Sequence, residues 1–323
     1  MGLKLISQYG NYPNTYREFV KMFPDDAACE AFLFKLRWSD GFICRSCKTA
    51  STPWNQSRGL LVCPICRYQT SITAGTIFDK TRTPLTTWLE AAWHVTTAKN
   101  GMSAKTLERT IGTSYQVAWM MLQRFRVAMV NSERKQLSGN IEVDETLIGG
   151  VQQGGKRGRG AMKIIVVIAV EMKQPKGFGR IRMRCIPDAS GSSLQPFVCD
   201  AVAPGSIVHT DGWGAYNKLT ELGYTHEVTV LSSSGDPAHV SMPGVHRIAS
   251  LLKRWILGTH QGSVAQGHLQ SYLEEFTFRF NRRTSRSRGL VFLRLLEQAV
   301  ITSPTTETDI IGGYDWGLKF DVD

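Results

Sequence analysis

The chain has 323 residues, 42% of them hydrophobic and 20% charged, with 38 Lys and Arg against 27 Asp and Glu for a net charge of +11. That length excludes a small disulfide-stapled scaffold, and that apolar content excludes a disordered polycation. The excess is uneven: residues 304–323 hold five acids (Glu307, Asp309, Asp315, Asp321, Asp323) against Lys319, a net of −4, so residues 1–303 carry 11 + 4 = +15, which favours a polyanionic partner, nucleic acid before an anionic membrane.

From the N-terminus, MGLKLISQYG lacks a long apolar core, so no secretion is expected and the location read from sequence is cytoplasmic. Residues 13–40 read as helical, with Phe19, Met22 and Phe23, then Cys29, Phe32, Leu33 and Leu36 at helical spacing around a break at Pro24. Two cysteine pairs follow. Cys44-x2-Cys47 and Cys63-x2-Cys66 are separated by fifteen residues, the spacing of two knuckles whose thiolates share one tetrahedral zinc ion. Four ligands and no fifth donor make the site structural, holding a ribbon with little core of its own. Cys29, Cys185 and Cys199 stand alone and read as ordinary buried residues.

A Thr-rich passage between Ser71 and Pro84 leads to a helix over TTWLEAAWHVTTAKN. Ser103 then caps SAKTLERTI, Gly112 breaks it, and Ser114 caps YQVAWMMLQRFRVAMV, which is helix-turn-helix spacing with Gln116, Gln123 and Arg124 as the polar face offered to DNA.

From about residue 140 the rhythm changes. IEVDETLI, AMKIIVVIAV and GRIRMRCIP read as three successive strands, SLQPFVCDAV as a helix, SIVHT as a strand, WGAYNKLTEL as a helix, HEVTVL as a strand and HRIASLLKRWIL as a long helix: an α/β domain with a mixed sheet. The longest apolar run, IIVVIAV at 164–170, is too short to span a bilayer, so no membrane partner is expected. Between the first two strands, Gly150-x4-Gly155-Lys156-Arg157 nearly spells a phosphate-binding loop, but Arg157 stands where Ser or Thr would hold Mg²⁺ and a strand follows where a helix is required. A basic arm of Lys156, Arg157, Arg159 and Lys163 lying along DNA is the better reading. Asp144 lies in the first strand and Asp211 just after SIVHT; on the long helix His246, Ser250 and Lys253 share one face while Ile248, Leu251, Leu252 and Trp255 share the apolar one.

The succession RWSDGFICRSC, CPICRYQTSITAGTIFDKTRTPLTTW, IEVDETLIGG, VHTDGWGAY, LLKRWILGTH and HLQSYLEEFTFRFNRR resembles the insertion-sequence transposases that join an N-terminal zinc ribbon to a DDE catalytic domain, the ISXO-type group, with the eukaryotic Merlin elements as relatives. The resemblance covers roughly 15–300 in one order. It implies an RNase H-like fold for the α/β domain, and with the reading of the residues the chain is expected to be multidomain α+β: an N-terminal helical segment (1–40), a zinc ribbon (41–84), a helix-turn-helix region (85–132), an RNase H-like catalytic domain (139–303) and an acidic tail (304–323). It implies metal-dependent DNA cleavage and strand transfer, in a bacterial, nucleoid-associated setting, by a homodimer or higher multimer bound to terminal inverted repeats and target DNA. Carried over by position, Asp144 and Asp211 are the first two acidic ligands for Mg²⁺ or Mn²⁺, His246 takes the third place where Glu or Asn is common, and Lys253 is the family's lysine, a DDHK set. Imidazole brings no charge and Mg²⁺ prefers oxygen, so the ion that His246 shares is expected to bind more weakly or to favour Mn²⁺. Lys253 is expected to grip a phosphate, and Arg254, Arg279, Arg282 and Arg283 to track DNA; Glu145 should face away from Asp144, Glu274 and Glu275 read as structural, and Leu269, Tyr272, Leu273, Phe276 and Phe280 as core. The rival expectation is a catalytically silent zinc-ribbon and helix-turn-helix regulator derived from a transposase.

Overall fold

The computed structural model describes residues 12–56, 59–130, 134–149, 163–229, 242–262 and 264–312. In chain order its elements are α1 (Tyr16–Met22), α2 (Asp26–Arg37), β1 (Trp54–Gln56), β2 (Leu60–Val62), β3 (Gln69–Ser71), α3 (Leu85–Thr97), α4 (Ala104–Ile111), α5 (Tyr115–Met129), β4 (Asn140–Ile148), β5 (Ile164–Met172), β6 (Phe178–Ile186), α6 (Gly191–Ala201), β7 (Ile207–Asp211), β8 (Thr225–Thr229), α7 (Pro243–His260), α8 (Leu269–Asn281), α9 (Arg288–Ala299) and α10 (Glu307–Ile311). The described residues fall into two compact units, one built from residues up to 130 with 284–312 and the other from residues 134–283.

In the first unit Thr15 and Asp25 cap α1 and α2 by accepting from Glu18 N–H and Ala28 N–H, and Pro24 separates the two helices. β1, β2 and β3 form a small antiparallel sheet in that order. Ser103 and Ser114 cap α4 and α5 through their side chains, and Gly112 sits at φ 65°, a left-handed turn that glycine adopts without strain. The aromatic centre joins α1, α3 and α9: Phe292, fully buried, lies 5.8 Å from Phe19, 6.0 Å from Phe23 and 5.6 Å from Trp93 between ring centroids. This corrects the expectation that residues up to 303 belong with the α/β domain. An apolar helix packs where its complementary aromatic surface is, and for α9 that surface is α3, α5 and α2.

The second unit is a five-stranded sheet of order β6-β5-β4-β7-β8. β4, β5 and β6 run antiparallel as a meander, while β7 is parallel to β4 and β8 to β7. A parallel neighbour needs a crossover, and α6 supplies it between β6 and β7. The α6 side of the sheet is packed by Ile141, Val143, Val167, Ala169, Leu194, Phe197, Val198 and Tyr216; the other side by Val166, Ile168, Val170, Ile248, Leu252, Leu273 and Phe276 from the sheet, α7 and α8. Three antiparallel strands, a crossover helix and two parallel strands, covered on both faces, make this an RNase H-like fold. Leu269, Tyr272, Leu273, Phe276 and Phe280 are all buried, as the sequence suggested. WGAYNKLTEL differs: it forms only a 3-10 helix over Gly214–Leu219, with Gly214 at its start lowering the propensity for a full α-helix. The basic arm residues Lys156, Arg157 and Arg159 lie outside the described residues.

Candidate active site and zinc ribbon

The cysteine pairs come together in the first unit. The four Sγ atoms lie within 4.8 Å of one another, with Cys44–Cys66 at 3.6 Å and Cys47–Cys63 at 3.8 Å. A tetrahedral ion with Zn–S near 2.3 Å requires sulfur–sulfur edges of about 3.8 Å, whereas a disulfide would close to about 2.05 Å. All seven cysteines are free thiols. The two knuckles repeat one backbone pattern. Lys48 N–H donates to Cys44 C=O and Arg67 N–H to Cys63 C=O, both at 3.0 Å, and Lys48 and Arg67 both hold positive φ, 59° and 62°. Thr49 pulls the Cys47 thiol below its ordinary value by hydrogen bonding, which favours the ligating thiolate. This donor set fits a zinc ribbon.

In the second unit, β4 alternates. Ile141 and Val143 enter the α6-side core, so Glu142 and Asp144 point to the α7 side, and Glu145 turns back towards α6 as the alternation requires. β7 pairs with β4 as Glu142↔His209; two residues further along both strands stand Asp144 and Asp211. Each aspartate has one oxygen held by backbone: Asp144 Oδ1 accepts from Glu145 N–H at 2.8 Å, and Asp211 Oδ1 from Trp213 N–H at 3.0 Å. Burial raises the Asp144 pKa; the charge of Asp211 adds to the rise, while the Glu145 amide and His246 oppose it. Burial also pushes Glu145 well above the usual carboxylate range, although the Tyr216 hydroxyl, donating to Glu145 Oε1 at 2.7 Å, works against it.

The third predicted ligand arrives on α7. His246 is half-buried, and its Nε2 is fully buried with no hydrogen-bond partner. An unpaired imidazole nitrogen whose charge is felt by Asp144 offers a lone pair to a metal when the other ring nitrogen carries the proton. The α7 N-terminus is held to the sheet by Glu142, 5% exposed, whose Oε2 accepts from Val245 N–H at 3.0 Å. Among the described residues the four cysteines form the one group of three or more ligands whose atoms all lie within 4.8 Å of one another, and Asp144, Asp211 and His246 do not close to that span. Lys253 is exposed further along α7 and lines an open groove of about 410 Å³ together with exposed Lys163, Leu147 and Leu257 and buried Ile148.

The predicted DNA contacts divide sharply. Gln116 is exposed on the first turn of α5 beside Tyr115, 50% exposed, and Arg254 is exposed on α7. Gln123, by contrast, is 1% exposed, and Arg124 donates to Ile77 C=O and Thr305 C=O, both at 3.1 Å. These two are corrected from DNA contacts to packing residues: the C-terminal half of α5 is enclosed by its own unit, and Arg124 joins three of its segments. Arg283 is likewise engaged, donating to the carbonyls of Phe178, Gly179 and Phe280, and Arg282 lies 3.8 Å over the Phe278 ring while donating to Phe278 C=O. Glu274 and Glu275 are structural as expected, paired with Arg134 at 2.8 Å and Arg279 at 3.0 Å.

Three features escaped the sequence reading. Glu142 could have been found from the i, i+2 alternation in IEVDE. Tyr216 carried no spacing signal. On the ribbon, Trp54 (40% exposed) with Arg67 stacked 4.8 Å from its ring centroid, next to Tyr68 (42% exposed), form an aromatic and cationic surface.

Residues 136–281 match the family model of the ISXO2-like transposase domain, and residues 24–69 that of the transposase zinc-ribbon domain. A protein of Halobacterium salinarum described as an "uncharacterized protein in transposable element ISH50" is 28% identical over 305 residues, covering 87% of this chain and 99% of that one. An "uncharacterized transposase-like protein" of Haemophilus influenzae is 23% identical over 116 residues, 36% of this chain and 93% of its own length. Among solved structures, a pre-cleavage Mos1 transpososome superposes with a TM-score of 0.28 at 12% identity, over 64% of this chain and 76% of that one, a likeness too slight to argue from. No helix among the described residues is long and apolar enough to cross a membrane. The chain thus matches a transposase zinc-ribbon model over 24–69 and an ISXO2-like transposase domain model over 136–281, and it resembles the insertion-sequence transposases built from that pair.

Proposed function

We propose that the chain binds the ends of its element and catalyses divalent-metal-dependent DNA cleavage and strand transfer. The reading is supported by Asp144 and Asp211 standing on neighbouring parallel strands, by the pull of both Asp211 and His246 on the Asp144 carboxyl, and by the unpartnered Nε2 of His246. These three would hold Mg²⁺ or Mn²⁺, which supplies positive charge to polarise the scissile phosphate and acidify the attacking water or 3′-hydroxyl. The chain's own part is orientation. Two backbone amides fix one oxygen of each aspartate, and Glu142 fixes the end of the helix that brings His246. Lys253 and Lys163, on one groove, offset phosphate charge along the approaching strand. Gln116 and Tyr115 occupy the N-terminal turn of the second helix of a helix-turn-helix, the part that meets base edges in that motif, and the Trp54–Arg67 pair offers a stacking surface. Two ends are joined by a homodimer or higher multimer in this reading.

The test is a nicking and strand-joining assay on duplexes carrying the DNA that flanks the gene, in Mg²⁺ and in Mn²⁺. Wild type should cut, with Mn²⁺ the better metal; Asp144→Ala and Asp211→Ala should not, and His246→Glu should keep Mg²⁺-dependent cutting. An Asp211→Ala protein that nicks like wild type overturns the assignment. Wild type that binds the ends and cuts in neither metal makes the chain a silent regulator instead.

A further inference from the structure

The two aspartates are joined by a continuous circuit that passes through the opposite face of the sheet. Asp211 Oδ1 accepts from Trp213 N–H at 3.0 Å; Trp213 C=O accepts from Tyr216 N–H at 3.2 Å; the Tyr216 hydroxyl donates to Glu145 Oε1 at 2.7 Å; and Glu145 N–H donates to Asp144 Oδ1 at 2.8 Å. We propose that Tyr216 and Glu145 are positioning residues: their hydrogen bond clasps the segment after Asp211 to the strand bearing Asp144 and so sets the spacing and orientation of the two carboxylates towards a divalent cation. The inference rests on the transposase reading of that site.

The surroundings suit this role. Tyr216 is fully buried among Ile141, Val143, Leu194 and Phe197, so its ring cannot swing. The segment it ends is pinned twice more, by Trp213 Nε1–H donating to Ala189 C=O at 2.7 Å and Gln195 Nε2–H donating to Ala215 C=O at 2.8 Å. β7 ends at Asp211 itself, so no ladder bond continues to hold the residues beyond it beside β4; the side-chain clasp does that work. A half-buried carboxylate with a single side-chain donor is an expensive way to fill space, and an apolar residue would serve packing better. What an apolar residue cannot supply is the link between the two aspartate segments.

The test uses the full chain with its zinc retained and reads Mn²⁺ binding by electron paramagnetic resonance of the free ion, alongside Mn²⁺ titration of end nicking. Tyr216→Phe removes one oxygen; losing a hydrogen bond of ordinary net strength should weaken Mn²⁺ binding about three- to tenfold, with a smaller change in the nicking rate at saturating metal and none in end binding. Glu145→Ala should match it, and Glu145→Gln, which keeps an acceptor, should recover most of the loss. Val198→Ala, in the same core but outside the circuit, should lower thermal stability without moving Mn²⁺ affinity. Wild-type Mn²⁺ affinity in Tyr216→Phe, or an equal shift in Val198→Ala, overturns the clasp while leaving the functional reading intact. Wild type whose Mn²⁺ binding equals that of Asp211→Ala overturns both.

Discussion

Helix α7 contains two glycines that should respond to the same substitution with opposite signs. Gly244, in its first turn, is buried, and a Cβ there would lie 2.6 Å from Met172 Sδ and 2.8 Å from Glu142 Oε2; Gly258, near its other end, has nothing within 4 Å of that position. Ordinary carbon contacts begin near 3.5 Å, so an alanine at 244 must displace two side chains by close to an ångström each. One of them, Glu142, is the acceptor that holds the helix end. Overpacking of this kind costs about 1–3 kcal/mol, against the gain of about 0.5–1 kcal/mol that alanine brings over glycine in a helix. Gly258→Ala should therefore collect the gain alone. At about 2–4 °C per kcal/mol for a unit of this size, Gly258→Ala should melt a few degrees above wild type and Gly244→Ala several degrees below it. Because His246 follows two residues after Gly244, Gly244→Ala should also require more Mn²⁺ for nicking. The measurements are calorimetric melting and an Mn²⁺ titration of the three proteins side by side. A Gly244→Ala protein that melts with Gly258→Ala and nicks normally would refute the close approach of α7 to the sheet and the positioning of His246 argued from it.

Replacing Cys63 by Ser should release bound zinc on gel filtration and unfold the ribbon, since the metal supplies the stability its small core does not; zinc content unchanged by the substitution would contradict the tetrahedral site. Gln116→Ala should weaken binding to element ends at the bases it reads, by about 1–3 kcal/mol if the contact is bidentate, with no loss of stability. Gln123→Ala should do the reverse, because that side chain is enclosed; matching losses of end affinity in both would restore Gln123 to the DNA face. Glu171 gives a pH prediction. Burial alone would raise its pKa, but the Arg180 side chain and the Arg180 and Ser138 amides pull it below the ordinary value. A depressed folded pKa gives stability that is present above the unfolded value of about 4.3 and is lost as pH falls through the folded one. Melting temperature should fall across that acid window less steeply in Glu171→Gln than in wild type, and equal slopes would remove Glu171 as a contributor.

The α/β unit was legible because its signals are local. Alternation in IEVDETLI and the apolar run IIVVIAV specify strands whatever they pair with, and the alternation alone put Asp144 and Glu145 on opposite faces. The cysteine spacing worked for the same reason: a knuckle is closed by residues three or four apart. What failed depends on distant partners. Arg124 and Arg283 look like solvated cations until the carbonyls they satisfy are known, and those lie 47 and 181 residues away for Arg124 and 104 and 105 residues away for Arg283. Helix α9 has an apolar face that would suit either unit, and nothing in its own twelve residues tells which aromatic surface it meets. Glu142 and Tyr216 matter through a helix end and a carboxylate reached only in the folded sheet.

The placement of α9 also has a consequence for synthesis. The first unit's aromatic centre is completed by Phe292, so on the ribosome Phe19, Phe23 and Trp93 emerge long before the ring that covers them. Between the end of α5 at Met129 and the start of α9 at Arg288 lie 158 residues, about 8–30 s of elongation at ordinary rates of synthesis. During that interval the sheet unit can close by itself while the ribbon and helix-turn-helix wait with apolar surface uncovered. A nascent or prematurely ended chain that stops before α9 therefore presents that surface to chaperones and proteases, and the order of manufacture makes the unit with the zinc ribbon the last part of the described chain to mature.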